Sequence, residues 1–186
     1  MVHGVECSNG RLFTTTAPWP GASRLTEWDT QTLRPIKSRL FPEIDTAARG
    51  FALTPGVGKN ELWAWVGLES MQSMGIHNPL HFVNCNNFSE YGTFDVLADI
   101  LGPCFGVRYA EGYIWATYCS YPQGRVLCID PFKQRLVADL KTPMPYTNER
   151  PVISRDEQGV FGLISTLSCF QGERSSSYLY KFRMEQ

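Results

Sequence analysis

The chain has 186 residues, enough for one domain with its own core, and its 43% hydrophobic and 19% charged residues are an ordinary globular balance. With 17 Lys and Arg against 18 Asp and Glu the net charge is −1 and no basic stripe stands out, which argues against a nucleic-acid partner. No stretch nears the roughly 18 apolar residues that span a bilayer, and Met1–Glu6 lacks the charged and apolar regions of a signal peptide, so neither membrane nor export is expected.

In chain order, a first run, His3–Cys7, reaches the turn pair Asn9-Gly10 and returns as Arg11–Thr15, both rich in strand formers. A loop holding Pro18-Trp19-Pro20-Gly21 leads to a third run, Arg24–Trp28. The order then repeats. Gly50–Thr54, a turn at Lys59-Asn60 and Glu61–Trp65 are followed, after a long connection Gly67–Pro79, by Leu80–Asn84. The third unit reads Phe105–Tyr109, turn Glu111-Gly112, Tyr113–Tyr118, Arg125–Asp130 and, after Pro131-Phe-Lys133, Arg135–Leu140. The fourth reads Pro151–Arg155, turn Gln158-Gly159, Val160–Ile164 and Tyr178–Phe182, with no fourth run after it. The second strands recur evenly: Leu12, Leu62, Ile114 and Phe161 stand 50, 52 and 47 residues apart.

For the fourth strand of the second unit the sequence offers Val96-Leu-Ala-Asp-Ile100, which matches Leu136-Val-Ala-Asp-Leu140 in an Ala-Asp pair and a proline three residues beyond. Phe94, Leu97 and Leu101 also fall at helical spacing. The strand reading is preferred because the partner segment follows a proline-initiated turn.

The third unit, with Tyr113-Ile-Trp-Ala-Thr, Arg125-Val-Leu-Cys-Ile-Asp-Pro131 and Leu136-Val-Ala-Asp-Leu140, resembles β-propeller blades of the broad YVTN/NHL kind. That resemblance implies an all-β fold: one propeller domain, 1–186, of about four four-stranded blades near 1–48, 49–102, 103–146 and 147–186, with the last incomplete. The bare last edge is then expected to be trimmed within a four-bladed ring, covered by another subunit, or absorbed in a two-chain, eight-bladed ring. The Trp-Asp signature of WD40 blades occurs only at Trp28-Asp29, and hemopexin motifs are absent.

Chemical motifs are few. Gly56-Val-Gly-Lys-Asn60 has Leu53 where a phosphate loop needs its first glycine and precedes a strand, so it reads as a hairpin turn. His77 and His81 are four apart, but Pro79 lies between them and no further ligands follow, so no metal is expected. No Gly-x-Ser-x-Gly elbow is present. Asp29, Asp99, Asp130 and Asp139 sit at similar strand ends and read as turn caps or solvent-facing residues. The six cysteines (Cys7, Cys85, Cys104, Cys119, Cys128, Cys169) form no CxxC pair and read as reduced, buried residues, a disulfide framework being the alternative; Cys119 and Cys128 are poorly placed to bond each other. Asn87-Phe-Ser89 fits a glycosylation sequon expected to stay idle.

Trp19 in its proline-stiffened loop is a natural partner anchor, and Met71, Met74 and His77 in the long connection could pack on a partner. Tyr178 and Tyr180 lie on the last strand, at the unfilled edge. The remaining tryptophans, Trp28, Trp63, Trp65 and Trp115, fall on strands and are expected in the core. These features point to a non-enzymatic structural or interaction module without cofactor, whose partners are protein subunits (its own copies or others) or a glycan. A cytoplasmic or virion-associated chain, such as a phage tail or capsid component, suits that reading. The alternatives are a metal-dependent propeller enzyme, since lyases and lactonases with similar blades use channel-lining carboxylates, histidine or asparagine, and a carbohydrate-binding propeller.

Overall fold

Turn chemistry divides this chain before packing does. Asn9-Gly10 and Glu111-Gly112 each place two successive residues at positive φ (51° and 73°, 55° and 84°), the backbone that a two-residue hairpin requires. The computed structural model describes residues 2–16, 22–44, 46–70, 77–120, 123–142, 151–167 and 176–183. Its strands are β1 (Val2–Ser8), β2 (Arg11–Thr16), β3 (Ala22–Trp28), β4 (Pro35–Ile44), β5 (Thr46–Pro55), β6 (Leu62–Ser70), β7 (Leu80–Asn84) and β8 (Tyr91–Phe94). They continue as β9 (Cys104–Ala110), β10 (Tyr113–Tyr118), β11 (Arg125–Asp130), β12 (Arg135–Lys141), β13 (Val152–Arg155), β14 (Val160–Leu167) and β15 (Ser176–Arg183). No helix occurs among the described residues.

The strands form four antiparallel meanders: β1-β2-β3-β4, β5-β6-β7-β8, β9-β10-β11-β12 and β13-β14-β15. This is the all-β propeller expected from the repeat, with an incomplete last blade of three strands among the described residues. The first strands line up at the inner edge, where β1 packs on β5 and β5 on β9. The approach is close. A Cβ added at Gly50 would lie 2.7 Å from the backbone N of Val107 and 2.9 Å from Gly106 Cα, so only glycine fits there.

Period two then sorts the side chains between neighbouring blades. Leu62, Ala64, Val66 and Leu68 on β6 join Phe13, Leu25 and Phe41 in the core between blades 1 and 2. Trp63 and Trp65 point the other way, with Phe82, toward Val107, Ile114, Ala116 and Leu127 of blade 3. A smaller core of Trp115, Val126, Cys128, Ile153 and Phe161 joins blades 3 and 4.

Three sequence expectations are corrected. The fourth strand of blade 2 is Tyr91–Phe94, and Val96–Ile100 is neither strand nor helix but a linker with a turn closed by Ile100 N–H donating to Leu97 O at 2.9 Å. Its apolar residues Val96 and Ile100 are buried between blades 2 and 3, which is why they mimic a strand pattern. The connection Gly67–Pro79 is less of an insertion than it looks, since Gly67–Ser70 continue β6 paired with β5. Trp28 is not core: it is only half-buried on the outer side of blade 1, with Nε1 donating to Thr14 Oγ1 at 2.7 Å.

The cysteines Cys7, Cys85, Cys104, Cys119 and Cys128 are free thiols, all but Cys7 buried; Cys169 lies outside the described residues. Burial pushes the thiols of Cys85, Cys104 and Cys128 up to about 12, which makes them poor nucleophiles.

Candidate functional site

The charged side chains of blade 1 that face blade 2 serve the join between them. Arg11 Nε donates to Glu27 Oε1 at 2.7 Å, while its NH1 and NH2 donate to Asn86 Oδ1 and Cys85 O, each at 2.7 Å. Lys37 Nζ stands 3.4 Å from the same carboxylate and donates to Asn86 O. Burial alone would push the Glu27 carboxyl up, but the hydrogen bond and charge of Arg11, helped by Lys37, hold it below its ordinary 4.5. The folded state thus binds this proton more weakly than the unfolded chain. The stabilisation is complete above the ordinary carboxylate range and fades as pH falls through the depressed value. Urea midpoints compared at about pH 7 and about pH 3 should therefore fall less in Glu27→Gln than in the native chain, and equal falls would rule out this coupling.

The aspartates are likewise engaged. Asp29 Oδ1 accepts from Gln31 N and Thr32 N, and Asp130 Oδ1 accepts from Phe132 N and Lys133 N, capping equivalent turns in blades 1 and 3. Asp99 and Asp139 are instead drawn together by Arg125, a nearly buried guanidinium that donates to Asp99 Oδ2 at 2.8 Å and to both carboxylate oxygens of Asp139. Those bonds, Asp139's first, hold the Arg125 charge firmly, and the Arg125 bond lowers the Asp99 carboxyl. The two histidines at metal-like spacing go separate ways. His81 is buried on β7, bonded to the Tyr91 hydroxyl and stacked on that ring, whereas His77 bridges to Leu101 in the linker between blades 2 and 3. Among the described residues no group of three or more His, Cys, Asp or Glu could hold a metal ion.

One cleft opens at the turn end between blades 2 and 3, lined by Thr54, Val57, Glu61, Trp63, Phe82 and Phe132. Glu61 is braced there by Gly58 N at 2.7 Å and Trp63 Nε1 at 2.9 Å. At about 190 Å³ the cleft is below the roughly 300–1,000 Å³ of small-molecule sites, and its only carboxylate is already bonded within its own loop.

The outer face of blade 1 is different in kind. Register places Val5 opposite Thr14, Thr14 opposite Thr26 and Thr26 opposite Ser38, so these residues share the face turned away from blade 2. Ile36 and Leu40 flank Ser38 on that face, and Val2 pairs with Thr16 at its end. Val2, Val5, Ile36 and Leu40 are 53%, 57%, 59% and 53% exposed. On blade 2 the matching face carries Phe51, Leu53, Ala64 and Val66, all buried by blade 1. Among the described residues, no blade is packed on this face of blade 1.

Of the sequence-predicted partner residues, Trp19, Met71 and Met74 lie outside the described residues. His77 pairs with Leu101 rather than standing in a free loop. Tyr178 and Tyr180 are on β15, opposite Ser165 and Leu163, in the outermost described strand of blade 4. Sequence reasoning missed Val2, Val5, Ile36 and Leu40. Their signal was the alternation Ile36-Lys37-Ser38-Arg39-Leu40, whose cations turn to blade 2, where Arg39 NH1 donates to Phe88 O at 2.8 Å.

No protein-family model and no curated protein sequence matches the chain. Among solved structures it is similar to the Dos1 propeller, with a TM-score of 0.67 and 15% identity over 89% of this chain and 41% of that one. It is also similar to the dihydro-heme d1 dehydrogenase NirN in complex with DHE, with a TM-score of 0.58 and 11% identity over 98% of this chain and 38% of that one. At these identities the likeness is one of fold. The chain spans less than half the length of either propeller protein.

Proposed function

We propose that this chain is a non-enzymatic interaction module, an arc of propeller blades that works by joining other protein surfaces. The observation that carries the reading is the outer face of blade 1, where Val2, Val5, Ile36 and Leu40 are each more than half exposed, whereas Phe51 and Leu53, which hold the positions of Val2 and Val5 on blade 2, are buried. Val2 and Val5 stand at the inner edge of that face and Ile36 and Leu40 at its outer edge, across Thr14, Thr26 and Ser38, and exposed apolar side chains gathered on one face favour an interaction site. The use of the aspartates as turn caps and Arg125 partners, and of the buried thiols as packing, fits the same reading, because it leaves them to structure.

The double variant Ile36→Lys/Leu40→Lys tests it. The native chain should bind a hydrophobic dye strongly, or sediment heavier than 21.0 kDa, and the variant should lose that behaviour with its Tm unchanged. If native and variant chains match in mass, dye binding and Tm, the face is inert and the reading fails.

A further inference from the structure

We infer that the cleft between blades 2 and 3 receives an arginine side chain of a partner protein. This contact lies apart from the blade 1 face and stands without it. Two turns form the lips of the cleft. The turn after β5 brings Val57, 91% exposed, and the turn between β11 and β12 brings Phe132, 50% exposed, so each blade offers one apolar side chain to whatever enters. Trp63, Trp65 and Phe82 also line the cleft, with the Glu61 carboxylate bonded to Trp63. At about 190 Å³ the space is too small for a whole cofactor-sized molecule but suits one long side chain.

The chemistry of the wall selects a cation. Trp63 Nε1 donates to Glu61 Oε1 at 2.9 Å and Gly58 N to Oε2 at 2.7 Å, so the indole and the carboxylate are locked side by side. Trp63 also packs edge to face on Phe82, with 5.8 Å between ring centroids, which holds the ring in place. Those two hydrogen bonds, Gly58's first, keep the Glu61 carboxyl below its ordinary 4.5 and hence charged at neutral pH. Arg11, Lys37 and Arg125 neutralise Glu27, Asp99 and Asp139, yet among the described residues no Lys, Arg or His pairs with Glu61. Lys59 and Lys133, the cations of the two turns, are exposed and neither lines the cleft. Asn84 Nδ2 reaches Glu61 Oε1 only at 3.4 Å, and Oε2 keeps capacity for a further donor. A guanidinium answers both features at once. Its plane stacks on an aromatic face, its N–H groups meet the carboxylate, and it gives up less hydration than an ammonium would.

The probe is acetyl-arginine-amide, titrated into the chain and read at the indole N–H of Trp63 in proton–nitrogen correlation spectra. That signal should shift and saturate. Glu61→Gln, and equally the use of acetyl-citrulline-amide, which keeps the shape of arginine without its charge, should weaken binding at least about tenfold. Phe132→Ser, on the exposed lip, should weaken it as well with Tm unchanged. Ile36→Lys/Leu40→Lys should bind the probe as the native chain does, so failure of the cleft and failure of the blade 1 face are told apart. Citrulline amide or leucine amide shifting the signal as strongly as arginine amide would overturn the choice of a cation. A Trp63 signal unmoved by the arginine probe, or moved equally in Glu61→Gln, would overturn the site.

Discussion

Trp115→Ala is expected to cost roughly 3–5 kcal/mol of folding stability, the range for removing a fully buried tryptophan, and to lower the Tm by roughly 6–20 °C. Trp115 is fully buried on β10, where Ile114 and Ala116 turn to blade 2 and Trp115 turns to blade 4. Its ring centroid lies 5.7 Å from that of Phe161, and its Nε1 donates to Ala110 O at 3.2 Å. Among the described residues the core between blades 3 and 4 is the smallest of the three, and Trp115 is its largest side chain. The loss should therefore concentrate there. Hydrogen exchange of β13 and β14 should rise more than that of β5 and β6, and Trp115→Phe should recover part of the stability by keeping contact with Phe161. A drop below about 1 kcal/mol would mean that blade 4 is not held through this residue.

The parts of this fold that were legible in the sequence are those whose information is local. Asn9-Gly10, Glu111-Gly112 and Gln158-Gly159 mark turns because φ is positive at Asn9, Gly10, Glu111, Gly112 and Gly159, and glycine or asparagine tolerates that. The strands that were hard to read are the outer ones. β4 opens with Pro35 and carries Pro42, which mask its short apolar alternation, and β8 is only Tyr-Gly-Thr-Phe with partly exposed side chains, so neither stands out as a strand. Prolines are tolerated there because an outermost strand has a free side. The repeated Ala-Asp pair was a true signal with another cause: Asp99 and Asp139 both match because both serve Arg125, one from a linker and one from a strand.

The interaction face was illegible for a different reason. Ile36 and Leu40 alternate with Lys37 and Arg39, which by itself suggests only a strand with one apolar side. Whether that side is core or surface depends on which blade stands beside it, a relation between distant segments that no local pattern contains. Asp99 and Asp139, held by Arg125, and the half-buried Trp28, bonded to Thr14, share this feature, since their partners lie on other segments, whereas Asp29 and Asp130 cap their own turns as their positions suggest.

Gly102→Ala should be the most damaging glycine-to-alanine change among the described residues, costing roughly 1–3 kcal/mol or more. A Cβ at Gly102 would fall 1.7 Å from Cys119 O and 2.9 Å from Cys119 C, backbone atoms that cannot rotate away. The site also has little room to shift. Cys119 N donates to Pro103 O at 3.0 Å, Asn78 Nδ2 donates to Gly102 O at 3.0 Å, and neighbouring Leu101 is bridged to His77. The methyl would thus wedge the linker between blades 2 and 3 away from the exit of β10, exposing Val96 and Ile100 beneath it. Gly112→Ala separates this steric cost from a conformational one, because Gly112 has φ of 84° and nothing within 4 Å of an added Cβ. There the expected loss is about 1 kcal/mol from left-handed backbone alone, and Gly112→Asn should recover part of it. Gly102→Asn should recover nothing, since a larger side chain only worsens the clash. Urea midpoints that fell equally in Gly102→Ala and Gly112→Ala would show that the linker moves freely and that blades 2 and 3 are not locked at this point.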